Sequence, residues 1–151
     1  MHILKSKVIL KAPIEKVWDF FSSPANLKKI TPPAMGFNII TGGDGKMYPG
    51  QIISYNVKPV AGIPLTWVTE ITHVEPLKFF VDEQRFGPYS MWHHEHHFRE
   101  VEQGVEMTDI VTYVLPFGFL GRIAHKLFVK NKVQQIFEYR SKVMNQFFET
   151  V

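Results

Sequence analysis

Residues 91–114 have the sequence MWHHEHHFREVEQGVEMTDIVTYV, and their pattern indicates a β-hairpin. Aromatic, histidine and aliphatic side chains occupy every second position on both sides of Glu102-Gln103-Gly104. Such alternation is typical of strands with one buried face, and a glycine between two strands favours a tight turn. If Val101 pairs with Gly104, the register of the whole hairpin follows, because each further pair moves one residue along both strands.

This register places four residues of the first strand opposite four of the second on one face. The predicted pairs are Trp92 with Tyr113, His94 with Val111, His96 with Asp109 and Phe98 with Met107. A slip by one residue would turn the apolar members of the second strand away from the aromatic members of the first. The pairing also brings a carboxylate close enough to His96 to hydrogen-bond its imidazole and raise its pKa.

The four histidines of this stretch form two pairs, because side chains alternate between the two faces of a strand. His94 and His96 share the predicted inner face, which Trp92 and Phe98 bound. His93 and His97 point the other way, together with Glu95 and Arg99, and a polar row of this kind usually faces solvent.

Further strands and helices are predicted on both sides of the hairpin. An alternating segment, His2–Leu10, precedes a short helix that begins near Pro13 and a second one from Pro24 to Ile30. Beyond them, turn-forming segments such as residues 42–45 and 58–64 separate six strands. These strands cover about residues 37–40, 50–57, 65–75, 78–86, 89–100 and 105–115. Short connections favour an antiparallel meander, which has about seven strands when the first segment is included.

A long helix is predicted from Leu120 to about Glu149, since neither proline nor glycine occurs after Gly121. At about 100° per residue, two apolar stripes lie on nearly opposite faces of this helix. The first contains Leu120, Ile123, Ala124 and Leu127, and the second contains Val129, Val133, Ile136, Phe137, Val143, Met144 and Phe147. We therefore expect a break near Phe128–Asn131, preceded by a separate amphipathic piece that carries Arg122, Lys126 and Lys130; a slightly bent helix is the alternative.

The composition indicates one globular domain that spans residues 1–151. A chain of 151 residues, 45% hydrophobic, can bury one sizeable core. The absence of cysteine excludes disulfides and thiol nucleophiles. The net charge of +3 is small and the basic residues are dispersed, so nucleic-acid binding is not expected. Lys5, Lys7 and Lys11 interrupt the apolar residues of the N-terminus, so we expect no signal peptide and a cytoplasmic location.

The order of elements and several local motifs resemble the START-like (SRPBCC, helix-grip) superfamily, closest to its polyketide cyclase/dehydratase-type and uncharacterised ligand-binding branches. The residues that carry the resemblance are Ala12-Pro13, Val17-Trp18, Asn26-Leu27, Thr31-Pro32-Pro33, Phe80, Asp82, Gln84, Gly87, Pro88, Trp92, His94, His96, Phe98, Gly104, Asp109, Tyr113, Leu115-Pro116 and Gly118. The resemblance covers essentially the whole chain. It implies an α+β helix-grip fold, in which a curved antiparallel sheet wraps around a long C-terminal helix, with an apolar cavity between them. It implies no single function, because the fold supports several.

Three interpretations of the His96–Asp109 pair stay open. The pair could be a satisfied polar contact in the cavity wall. It could hold a ligand's carbonyl or hydroxyl group, or act as an acid–base pair in which Asp109 orients His96. Metal binding by His94 and His96 is the third, but no metal is expected, because the sequence supplies no clear third and fourth ligand.

The predicted ligand-binding set joins the inner face of the hairpin to three positions on earlier strands. Asp82 and Gln84 share a strand parity with Phe80 and could add polar groups to the cavity or lie on the outer face. Trp67 is expected in a wall or core position. The full set is Trp67, Asp82, Gln84, Trp92, His94, His96, Phe98, Asp109, Val111 and Tyr113, with His96 and Asp109 as candidate catalytic residues.

The expected function is binding of a small or medium hydrophobic ligand, which could be lipid-like, a quinone or an aromatic polyketide. One alternative is an enzyme of the cyclase or dehydratase type that uses His96 and Asp109. Another is a membrane-surface lipid or quinone carrier that touches lipid through Phe117, Phe119 and Leu120. No cofactor is expected, and the oligomeric state stays open.

Overall fold

A computed structural model describes residues 1–58 and 62–149 of the chain. Seven antiparallel strands form one sheet, as the sequence predicts. Their bounds are β1 (His2–Leu10), β2 (Asn38–Thr41), β3 (Gln51–Val57), β4 (Leu65–Glu75), β5 (Phe79–Phe86), β6 (Met91–Val101) and β7 (Gly104–Val114). Pro59–Ala61, within the turn predicted at 58–64, lie outside the described residues.

The order of strands in the sheet is β1-β7-β6-β5-β4-β3-β2. Strands β2 to β7 thus follow one another in space as in sequence, and β1 lies beside β7 although nearly the whole chain separates them. The predicted hairpin register is confirmed: Val101 pairs with Gly104, and His96 pairs with Asp109. Gly104 adopts a φ of +133°, and a Cβ at this position would lie 2.1 Å from the carbonyl oxygen of Leu10, so the turn packs tightly on the end of β1.

Three short helical elements follow β1: the two that the sequence predicts and a further 3-10 turn, Pro33–Met35. The first is α1 (Ile14–Phe21), with Pro13 immediately before it, and the second is a 3-10 helix, Pro24–Ile30. Proline suits the start of a helix because its missing N–H would have no intrahelical partner there. The buried face of α1 carries Val17, Phe20 and Phe21, which pack in the main core with residues of β1, β6 and β7.

The C-terminal helical region runs from Gly118 to Glu149 in three parts. These are α2 (Gly118–Ala124), a π-helical turn (His125–Val129) and α3 (Lys130–Glu149). Helix α2 starts two residues earlier than predicted, because Phe117 takes a left-handed φ of 66° and turns the chain into the helix. The π-turn overlaps the predicted break at Phe128–Asn131. Because a π-turn has more residues per turn than an α-helix, the apolar residues of α3 face a different direction from those of α2.

The two stripes of this region have different surroundings. On α3, Val133, Phe137 and Met144 are buried against the sheet side of the molecule. On α2 and the π-turn, the apolar residues remain exposed instead of covering a loop: Leu120, Ile123, Leu127 and Phe128, together with Phe117 and Phe119 before them. In the part of the chain that the structure describes, no helix is both long and apolar enough to cross a membrane.

Candidate ligand-binding site

A cavity of about 190 Å³ lies between the sheet, α3 and the 3-10 helix after α1. Most of its wall is apolar. Strands β3 and β4 contribute Tyr55 and Trp67, strand β6 contributes Trp92, and α3 contributes Val133 and Phe137. Large aromatic side chains of the sheet and of α3 face each other across the cavity, among them Trp67, Trp92 and Phe137.

Aromatic rings dominate one end of the cavity. The rings of Trp67 and Trp92 meet edge to face with centroids 5.4 Å apart, and Tyr89 lies 4.8 Å from Trp92. Tyr55 stacks on Trp67 at 6.1 Å. Edge-to-face and offset pairs of this kind are favourable for aromatic rings and form a rigid wall.

The polar end of the cavity is a network of two histidines and two aspartates. The Nε2 of His94 donates to Oδ1 of Asp109 over 2.9 Å, and the Nε2 of His96 donates to Oδ2 of Asp82 over 2.8 Å. The Nδ1 of His96 also lies 2.9 Å from Asp109 Oδ1, but the N–H bond is not directed along this line, so the contact is an ion pair and not an aligned hydrogen bond. The Nδ1 of His94 lies 3.8 Å from Asp82 Oδ2.

Both aspartates of this network are ionised although they are buried. Burial raises the pKa of Asp82, but the hydrogen bond from His96 and the positive charges nearby outweigh it, so the pKa is lowered. Burial likewise opposes ionisation of Asp109, whose pKa the charge of Arg140 and the two histidines hold well below its usual range. A buried carboxylate is stable only with such partners.

The two histidines differ in their affinity for a proton. Burial, and then the charge of His96, lower the pKa of His94 to about 4, so His94 is neutral. Burial also acts against a charged His96, but its contacts with Asp109 and Asp82 are stronger and raise its pKa. The charge of Arg140 and a proton on His96 both favour the ionised forms of Asp82 and Asp109.

Besides His96 Nδ1, two hydrogen-bond donors in the cavity wall have no hydrogen-bond partner among the described residues. These are the indole Nε1 of Trp67 and the Nε of Arg140. Both side chains line the cavity, and Arg140 is only 7% exposed. The structure also gives the Arg140 guanidinium no carboxylate within 4.0 Å in residues 1–58 and 62–149. An unpartnered buried donor costs free energy, which a ligand with acceptor atoms would recover.

Half of the predicted ligand-binding set lines this cavity: Trp67, Asp82, Trp92, His94 and His96. Asp109 lies behind the two histidines and is fully buried there. Gln84 lies at the connection between β5 and β6. Its side-chain amide donates a hydrogen bond to the carbonyl oxygen of Tyr89 and accepts one from the N–H of Tyr89. The other three pack in the cores next to the cavity, Phe98 with α1 and the pair Val111 and Tyr113 with α3.

Arg140 is the charged site residue that the sequence analysis missed. It lies in the buried stripe of α3, seven residues after Val133 and four before Met144. A charged residue at a core position of an amphipathic helix is a usable signal, because an unpaired charge is rarely buried without a function or a partner. The carboxyl groups whose pKa its charge lowers, Asp82 and Asp109, lie on β5 and β7, so the pattern of α3 marks the position of Arg140 but does not show the rest of the network.

The outer face of β6 carries the second pair of histidines, as predicted. His93 bonds Glu83 at 2.7 Å, and His97 bonds Glu95 at 2.9 Å. These four side chains are only partly buried. The strand therefore separates two histidine–carboxylate clusters, one in the cavity wall and one at the surface.

Solved structures with the same fold come from several sources. A Chromobacterium violaceum protein is 15% identical, with a TM-score of 0.75 and coverage of 99% of each chain. A Thermus thermophilus protein is 16% identical, with a TM-score of 0.70 and coverage of 96% of this chain and 95% of that one. Ara h 8.0201 is 14% identical, with a TM-score of 0.62 and coverage of 95% and 97%. At these identities the likeness concerns the fold alone.

The sequence itself matches a family over most of its length. No curated protein has a matching sequence. Residues 10–140, however, match the family described as polyketide cyclase / dehydrase and lipid transport. This match agrees with the helix-grip architecture and confirms the START-like resemblance of the sequence. The chain belongs to the polyketide cyclase / dehydrase and lipid transport family.

Proposed function

We propose that the protein binds an apolar, ring-containing ligand that carries oxygen acceptors, such as a quinone or an aromatic polyketide, between the sheet and α3. The observation that carries this proposal is the pair of unpartnered donors in an otherwise aromatic wall, Trp67 Nε1 and Arg140 Nε. Family membership supports a hydrophobic ligand in general, and these two donors support the narrower choice.

The physical argument rests on complementarity. An aromatic ring can stack against the indoles and phenols of the wall, which remain rigid because they pack on one another. Each unsatisfied buried donor costs about 1–3 kcal/mol, so a ligand oxygen in hydrogen-bond range would contribute a comparable share of the affinity. A pure hydrocarbon of the same shape would fill the cavity and leave both donors unpaired.

The acid–base alternative for His96 and Asp109 has weaker support. A general acid or base must reach the proton it transfers to or from the substrate. Both ring nitrogens of His96 already face carboxylates, Asp82 on one side and Asp109 on the other. Asp109 does not line the cavity. A ligand would have to displace Asp82 before His96 could act on it, so we favour binding over catalysis.

The test compares two ligands that share a flat, fused two-ring carbon skeleton, of which one carries two carbonyl oxygens on a quinone ring. We expect 1,4-naphthoquinone to bind at least about tenfold more tightly than naphthalene, since two added hydrogen bonds contribute about 1.4 kcal/mol or more together. Binding is followed by tryptophan fluorescence and by native mass spectrometry. The absence of cysteine removes the thiols with which a quinone would react.

Two variants test whether the Trp67 N–H is responsible for the preference for the quinone. Trp67→Phe keeps an aromatic ring and removes the N–H, so it should narrow the preference for the quinone several-fold. Trp18→Phe is the matched control, because Trp18 packs in the core and does not line the cavity. Equal affinity for the two ligands in the unmodified protein, or no binding of either, would contradict the proposal.

A second candidate function, transfer of such a ligand at a membrane surface, has one specific observation in its favour. Phe117, Phe119 and Leu120 are exposed, Phe117 to 80%. They continue into Ile123, Leu127 and Phe128, which are exposed as well, and we name these six side chains the apolar surface of α2. The sequence contains no acidic residue between Asp109 and Glu138, while Arg122, Lys126, Lys130 and Lys132 lie within that interval. Apolar side chains flanked by basic ones favour an anionic lipid surface.

A further inference from the structure

We propose that Asp82, His94 and His96 bind a divalent first-row transition-metal ion at the polar end of the cavity. The site goes beyond the proposed ligand binding and does not depend on it, because the three donors belong to the protein itself. The ion would lie between strands β5 and β6, where Asp82 pairs with His94 in the sheet register.

The donor atoms have the spacing that such an ion requires. Asp82 Oδ2 lies 2.8 Å from His96 Nε2 and 3.8 Å from His94 Nδ1, and the three groups offer ligand atoms that all lie within 4.8 Å of one another. Bonds of about 2.0–2.2 Å to a zinc-like ion place neighbouring ligand atoms about 3.0–3.6 Å apart. Small side-chain rotations therefore convert the hydrogen bond between His96 and Asp82 into a shared coordination site.

Asp109 orients His94 for this role by a hydrogen bond and lies close to His96 as well. Its Oδ1 lies 2.9 Å from His94 Nε2 and 2.9 Å from His96 Nδ1. A proton on His94 Nε2 leaves a lone pair on His94 Nδ1, and loss of the proton that His96 Nε2 shares with Asp82 leaves a lone pair on that nitrogen; both atoms face Asp82. Histidines that bind metals usually give their other ring N–H to a carboxylate, which fixes the tautomer and the ring orientation.

The charges around the site also suit a cation. When the ion takes the place of the proton between His96 and Asp82, both imidazoles are neutral, and the two carboxylates and the Arg140 guanidinium leave one net negative charge in a buried environment. Other titratable side chains of β6, such as His93 and Glu95, point to the opposite face of the sheet. A divalent ion would therefore meet a site of complementary charge.

The ligand set indicates the class of metal. Two imidazoles and one carboxylate suit iron, cobalt, nickel or zinc and disfavour magnesium and calcium, which prefer all-oxygen sites. From the sequence alone, two histidines could be identified as metal ligands, but no third ligand. Asp82 becomes the third because strand pairing places it beside them, and the cavity leaves the remaining coordination positions accessible.

The experiment titrates chelator-treated protein with Co²⁺ and, separately, with Zn²⁺, using calorimetry and visible absorption of the cobalt form. We expect one tightly bound ion per chain, no comparable binding of Mg²⁺, and paramagnetic broadening by Co²⁺ of the ring signals of His94 and His96. Asp82→Asn and His94→Gln should each weaken binding at least about tenfold, and Asp109→Asn by about 10–100-fold, as expected for a residue that orients a ligand.

The matched control is the double variant His93→Gln/His97→Gln, which removes the surface histidines of the same strand and should bind cobalt normally. Circular dichroism checks that each variant is folded. If His94→Gln does not fold, the near-isosteric variant Asp82→Asn is used to test the proposal. The proposal is overturned if Asp82→Asn binds cobalt as tightly as the unmodified protein, or if binding is lost in the surface double variant. Because no organic ligand is used, these outcomes are independent of the naphthoquinone experiment.

Discussion

His94 and His96 are neighbours on one face of β6, yet their surroundings give them opposite proton affinities. Both are fully buried, so burial lowers the pKa of each. His96 lies between two carboxylates, which more than compensate and raise its pKa, whereas the pKa of His94 falls to about 4. The difference comes from residues on β5 and β7, and not from the local sequence around the histidines.

At the residue scale this predicts how stability depends on pH. The unfolded chain protonates His94 near pH 6.5, while the folded chain does so only near pH 4. Between these values the unfolded state binds more protons, so acidification favours unfolding. A shift of this size corresponds to about 3 kcal/mol lost between pH 6.5 and pH 4. We expect His94→Gln to remove most of this loss, as measured by urea denaturation in the presence of chelator.

The remaining groups of the network affect the stability of the protein in other pH ranges. The lowered pKa values of Asp82 and Asp109 mean that their contribution is lost only as the pH falls towards those low values. The raised pKa of His96 means that its contribution is complete below pH 6.5 and disappears as the pH rises through the folded value. His97→Gln, on the outer face, serves as the control. An unchanged acid slope in His94→Gln would refute the assignment.

At the scale of elements, the strands were predicted closely and the helical ends less so. The observed strands end within about two residues of their predicted limits, because period-two alternation and turn residues are local signals. The C-terminal region shows the limit of such signals. Its two stripes predicted a break, but the form of the break, a π-turn over His125–Val129, depends on how α2 and α3 each meet the rest of the protein.

The turn between β6 and β7 gives a prediction at this scale. Gly104→Ala should destabilise the protein by at least about 2 kcal/mol, since it strains the backbone and forces a Cβ against the carbonyl oxygen of Leu10. Gly45→Ala is the matched control: Gly45 also has a positive φ, +73°, but its Cβ would meet open space. We expect about 1–2 kcal/mol there. Thermal unfolding measures the loss of stability in both variants. Equal losses of stability would mean that the contact with Leu10 has no role.

At the scale of the whole molecule, the apolar surface of α2 predicts binding to anionic membranes. Vesicles containing phosphatidylserine should bind the protein, and Phe117→Ser/Phe119→Ser should reduce the affinity about tenfold or more, because two exposed rings no longer enter the lipid. Raising the salt from about 0.1 M to about 1 M should also weaken binding, since the Debye length falls from about 10 Å to about 3 Å. Vesicle co-sedimentation measures both effects.

The control for this experiment is Ile40→Ser/Ile52→Ser, which removes two exposed apolar side chains on β2 and β3. It should leave vesicle binding unchanged. If the unmodified protein does not bind anionic vesicles, or if both double variants lose binding equally, the carrier function has no support from this surface.

The sequence by itself determined the strands, the order of helices and strands, and the register of the β6–β7 hairpin. These features depend on local alternation, on turn residues and on the pairing that a tight turn imposes, all of which lie within a few residues of one another. The same local rules were enough to separate the inner pair, His94 and His96, from the outer pair.

Only the tertiary structure decided the composition of the site. Asp82 reaches the two histidines through the β5–β6 register, and Arg140 lines the same cavity because α3 packs against the sheet. Strand β1 joins β7 from the far end of the chain. Contacts of this kind depend on how elements distant in sequence pack together, and the buried charge of Arg140 comes near the carboxylates of β5 and β7 only when α3 meets the sheet.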